Sequence, residues 1–159
     1  MQRSVKPIIK QKGAAAIEAA LLFVIFFVLF YGIVGYSLPI MMKEAFQHAA
    51  ANGARSALAV EPDSFASTSD YIDTGVTPRV RQIVGESLSW LPSATKATVL
   101  GPSNQNVQVN YTSASGVLTV IVSYTDYKTS PLVPVLTFPG IGDVPKLPDD
   151  IAGTAMISL

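Results

Sequence analysis

The chain has no cysteine, one histidine and one tryptophan, and charged residues make up only 14% of its 159 positions. Without cysteine the fold draws nothing from disulfides, and thiolate zinc sites are excluded. With His48 as the only imidazole, most acid–base triads and histidine-based metal centres are excluded too, and His48 reads as a helix-surface residue. No serine stands in a G-x-S-x-G setting: "GESLS" (85–89) lacks the final glycine. "GIGD" (140–143) is a glycine turn without the basic residue and helix of a phosphate cradle. The adjacent acids Asp149 and Asp150 read as a solvated turn and not as a calcium site. An enzyme, a metal centre and a cofactor are therefore not expected.

Charge is also missing in a more local sense. The first thirteen residues hold Arg3, Lys6, Lys10 and Lys12 but no acid, and 24 consecutive residues from Ala19 to Met42 carry no charge at all. At about 1.5 Å per residue that run makes a rod of roughly 36 Å, enough to cross a hydrocarbon core of about 30 Å with some tilt. The basic flank predicts a cytoplasmic N-terminus, with everything after Met42 on the far side, which in a bacterium is the periplasmic face of the inner membrane. Beyond the four N-terminal cations, seven basic side chains face eleven acidic ones, so a nucleic-acid partner is not expected. A cleaved secretory signal fits poorly. The apolar run is about twice a signal core in length, and "YSLPIMMKE" after it offers no small-x-small site.

One carboxylate, Glu18, stands at the mouth of the run. An acid there costs a few kcal/mol even on lenient scales and usually marks a partner. The stretch Gly13-Ala14-Ala15-Ala16-Ile17-Glu18, behind "KQK" and ahead of an apolar helix, resembles the processing site of class III (type IVb/IVc) prepilins. Across its first forty or so residues the chain is similar to TadE-like pseudopilins of the tight-adherence (Flp) system. It lacks the tyrosine that follows the glutamate in many major Flp pilins, since Ala19 stands there, and it is far longer than such a pilin. The resemblance implies cleavage between Gly13 and Ala14 by a prepilin peptidase, retention of the helix, and packing with other pilin subunits and the assembly machinery, in the service of adhesion and biofilm formation. It also implies that Glu18 sets register by meeting the N-terminal amine of a neighbouring subunit. An uncleaved single-span protein with a periplasmic binding or scaffolding head is the alternative.

The remaining chain predicts an α+β architecture: a leader at 1–13, a long helix at 14–58 spanning the membrane at about 19–42, and an exported head at 59–159. Pro39 removes a hydrogen bond to the Gly35 carbonyl and is expected to kink or loosen the helix. Asn52-Gly53 is a second weak point, Phe46, Ala49, Ala50 and Ala57 form a narrow apolar stripe, and Gly32 and Gly35 offer a weak signal for close approach of another helix. In the head, a turn-rich connection leads to one amphipathic helix with Thr77 as N-cap, Pro78 at its first position and Val80, Ile83, Val84, Leu88 and Leu91 on its buried face. That helix should cover an antiparallel sheet of three or four strands: "ATKATVLG" (94–101), a hairpin of 107–112 with 117–127, and the closing "IAGTAMISL". Between the last two lies a loop at 128–150 with five prolines, too many for a central strand and too apolar for a solvated linker.

Overall fold

In the computed structural model, which describes residues 12–159, helix α1 (Lys12–Ala57) continues unbroken for 46 residues, about 69 Å at 1.5 Å per residue. It passes through both expected weak points, Pro39 and Asn52-Gly53, and only its second half is clothed by the head. The leader expected at 1–13 lies almost wholly outside the described residues. After a 3₁₀ turn at Pro62–Ser64 come α2 (Thr68–Asp70), a π-helical stretch at Tyr71–Val76 and α3 (Thr77–Ser87), which follow one another directly. Next are α4 (Ser93–Leu100), strands β1 (Gln108–Thr112) and β2 (Val117–Tyr124), the short strands β3 (Leu136–Phe138) and β4 (Gly142–Val144), and β5 (Ile151–Ser158). The result is α+β, with an antiparallel sheet in the order β1-β2-β5 and a separate two-stranded β3-β4 ribbon.

Two local expectations are corrected. Thr77 is not an N-cap: its backbone is already helical, and the cap lies ten residues earlier at Ser67, whose hydroxyl accepts from the Asp70 amide at 3.2 Å. Pro78 has no N–H to give, and the wider π turn just before it, where the Thr77 amide reaches the Ile72 carbonyl, accommodates the lost bond. The segment expected as a first strand, 94–101, is helical as α4. Thr95, Val99 and Leu100 are its buried residues, a spacing of four and five that a helix and not a strand brings to one face, and Ala, Lys and Leu favour the helix locally. Asn106 closes its end, with the side-chain amide donating to the Thr98 carbonyl at 2.9 Å and the backbone amide to that of Leu100 at 2.9 Å. The sheet is therefore three-stranded, and the head carries helical turns on both sides of α3.

The hairpin and the closing strand fall where alternation puts them. In β2, Leu118, Val120, Val122 and Tyr124 are buried, and β2 pairs with β1 through Asn110↔Thr119 and with β5 through Val120↔Ala155. Beneath them lie Met42, Phe46, Ala49, Ala50, Ala54 and Ala57 of α1, all buried, while Val80 and Val84 of α3 close the other side over Gly53. Small side chains let backbones come close. At Gly153 of β5 backbone meets backbone: a Cβ there would run into the backbone carbon of Phe46 and the amide nitrogen of Gln47. Gln47 then bridges the same pair of elements, donating to the Thr154 carbonyl at 2.7 Å and accepting from the Thr154 amide at 3.1 Å. It satisfies backbone groups on the outer edge of β5 that would otherwise be open to another strand.

Tyr127 is fully buried, edge-on to Tyr124 with ring centroids 5.2 Å apart. Burial pushes its phenol above the ordinary tyrosine range, and the nearby Leu132 backbone offsets only part of this, without hydrogen-bond geometry good enough to satisfy the hydroxyl. We expect Gly153→Ala to destabilise the head by about 2–3 kcal/mol, because the obstructing atoms are backbone and cannot swing aside; urea unfolding of the full chain in detergent measures it. Tyr127→Phe should instead leave stability unchanged or raise it by up to about 1 kcal/mol in the same assay, since it deletes a buried hydroxyl that has no partner.

Candidate functional site

The first half of α1 is bare. From Gly13 to Phe27 every side chain is exposed, including Ile17 (72%), Phe23 (65%) and Phe26 (64%). Gly13 has open space where a side chain would be, and Ala14 and Glu18 are both exposed. Four residues apart, Ala14 and Glu18 are neighbours on one face of the helix, one turn from its start. Further along, Phe23, Phe27 and Tyr31, four residues apart from one another, form a stacked ladder with centroid separations of 6.3 and 6.0 Å. An apolar surface of this extent, open all round, matches a helix surrounded by lipid or by other helices. One such helix fits a single-pass membrane protein.

The character of the helix changes at Tyr31. Here the proline-rich segment, expected as a loop too apolar for a solvated linker, lies along α1 itself and folds into the β3-β4 ribbon. The Tyr31 hydroxyl donates to the Pro134 carbonyl, and the Lys146 amide donates to the Tyr36 hydroxyl at 2.9 Å. Val144 approaches Gly32, and Pro145 lies against Gly35, where a Cβ would come within 3.0 Å of the ring. The glycines that suggested a docking helix thus receive the chain's own segment. Higher up, a cleft of about 380 Å³ lies between Pro39, Ile40 and Lys43 of α1 and Lys146, Asp150 and Ile151 of the head.

The sequence-derived residues therefore divide into two groups. Gly13, Ala14 and Glu18 cluster at the bare end of the rod. Pro39 stands about 32 Å further along, buried against the head, and is no part of that cluster. His48 is exposed on α1 as read from sequence, and Asp150 spends its carboxylate on the Asp126 amide at 2.9 Å. Among the described residues no three His, Asp or Glu side chains converge. Sequence reasoning missed Tyr31, Tyr36 and Gln47; the two tyrosines near the end of an apolar run were the available signal, because tyrosine gathers at membrane interfaces.

The model of the family described as TadE-like protein matches residues 13–55, from the first glycine of the bare segment almost to the end of α1. Over these residues the N-terminal helix is similar to that family. This likeness points to Tad/Flp pilus systems and to a structural, pilus-associated kind of protein. No curated protein and no solved structure matches the chain significantly. The TadE-like match covers the helix and leaves out the head that grips it. Tyr36→Phe tests that grip: loss of the acceptor should raise amide exchange in the 140–150 peptides several-fold, with exchange in β2 unchanged, read by hydrogen–deuterium exchange mass spectrometry.

Proposed function

We propose that the protein is a minor pilin, or pseudopilin, of a tight-adherence pilus, matured by a prepilin peptidase that cuts between Gly13 and Ala14 on the cytoplasmic side. The observation that carries this reading is the bare TadE-like helix, with Glu18 one turn beyond Ala14 and the head held away from both. Cleavage would create an ammonium on Ala14 at a helix N-terminus, where the helix dipole and a new cation both favour a carboxylate. In the membrane Glu18 would be neutralised by that amine. When helices stack, it would pair with the amine of an adjacent subunit, and a subunit out of register would leave it buried without a partner. Glu18 thus serves assembly and not catalysis. The head faces the periplasm in this reading and presents its surface to other pilus components, which supports adhesion and biofilm formation.

The competing reading is an uncleaved, membrane-anchored scaffolding protein. Intact mass and N-terminal sequencing of membrane-extracted protein, from cells with and without the peptidase, separates the two. A peptidase-dependent start at Ala14 is expected. A chain beginning at Met1 in both strains would leave only the anchor. Gly13→Ala should abolish maturation, whereas Glu18→Ala should mature normally and reduce pilus output at least tenfold; unchanged output from both variants would sink the proposal.

A further inference from the structure

The segment between Lys128 and Asp143 contains no charged residue, and its polar side chains are limited to Thr129, Ser130 and Thr137. It holds Leu132, Val133, Val135, Leu136, Phe138 and Ile141, yet only part of this surface is used inside the head: Ile141 at the tip of the β3-β4 ribbon is 60% exposed. Its position gives that surface a meaning. From Ile151, beside the cleft at Pro39 and Ile40, the chain runs back along α1 to Pro145 at Gly35 and Val144 at Gly32, so the ribbon is the part of the head nearest the bare apolar helix.

If the hydrocarbon layer covered residues 19–42, the ribbon and its Asp143 would be drawn well inside it. If the layer starts at Ala14, about 31 Å of helix reaches Val34, and the ribbon base meets the boundary. We propose that the β3-β4 ribbon is a second membrane contact: it lies in the outer headgroup layer of the bilayer that α1 spans, with Ile141 and Phe138 toward the acyl chains and the hydrocarbon edge between Tyr31 and Tyr36. The proposal rests on the membrane-spanning reading of α1. Several features suit that layer. Tyr31 and Tyr36 stand where interfacial tyrosines belong. The ribbon pairs its own backbone through Leu136↔Val144, Thr137↔Asp143 and Phe138↔Gly142, and Pro131, Pro134, Pro139, Pro145 and Pro148 have no amide N–H to leave unsatisfied. Asp143 accepts from the Thr137 hydroxyl at 2.6 Å, and the exposed Lys43 and Lys146 beside the cleft supply cations for lipid phosphates. This register also sets Glu18 about 6 Å inside the inner boundary, where a partner for its carboxylate is most needed.

The cysteine-free chain is suited to the test. The full protein, carrying one introduced cysteine at a time, is labelled with a nitroxide and reconstituted into phosphatidylcholine–phosphatidylglycerol vesicles. Power saturation then compares collision with oxygen, which concentrates in lipid, against a water-soluble nickel chelate. Leu29→Cys reports the bilayer interior, Ser115→Cys the aqueous side of the head, and Ile141→Cys the ribbon. Pro139→Cys repeats the ribbon reading at a second exposed site. We expect oxygen to dominate at 29, the chelate at 115, and a shallow but lipid-side ratio at 141 and 139, with Ile40→Cys outside the hydrocarbon. Ribbon labels as accessible to the chelate as 115 overturn the proposal while the anchor stands, and so does a label at 40 as deep as 29. Chelate access at 29 overturns the spanning reading and this proposal together.

Discussion

The packing of β5 onto α1 is the constraint on which the rest of the molecule depends. At Gly153 the strand backbone touches the helix backbone, and Gln47 ties the adjoining Thr154 amide and carbonyl to the same turn. Once β5 is fixed there, β2 and β1 follow by pairing, and α3 closes over Gly53 on the far side. One helix is thus both the bare apolar rod and the central element of the core. This dual use matches its composition: large apolar residues along the bare segment, as a membrane-spanning helix would carry, then alanine and glycine where a strand and a second helix come close.

The chain before Val144 is held by the same logic. The β3-β4 ribbon has only three residues in each strand and would not persist as an isolated hairpin. Two tyrosine hydroxyls and the flat contact of Pro145 on Gly35 hold it to α1. The head therefore has a firm centre around Phe46 and a lighter attachment around Tyr31, and the lighter one lies at the edge of the bare apolar surface.

Much of this was legible because it is local. An uncharged apolar run, a carboxylate four residues beyond an alanine, and strict alternation in β2 and β5 each announce themselves within a short window. The long helix and the β2-β5 pairing could be read for that reason, and the same local window is what singles out Gly13, Ala14 and Glu18 as candidates. Ser93–Leu100 was misread because a short segment with β-branched residues fits either period, and burial by neighbours decided for the helix. Thr77 was misread because Pro78 imitates a helix start when a π turn carries the helix past it. The ribbon's seat on α1 was beyond reach of any local pattern: it joins residues more than a hundred positions apart, and glycine spacing says only that something comes close, not what.

The unbroken course of α1 also has a mechanical meaning. No linker separates the bare segment from the head, so a displacement of one is a displacement of the other. Each residue of helix carries about 1.5 Å of rise and about 100° of rotation. If neighbouring bare segments packed one residue out of step, their heads would be offset by little in height but would point in quite different directions. The helix therefore converts a small axial choice at its bare end into a large angular one at the head.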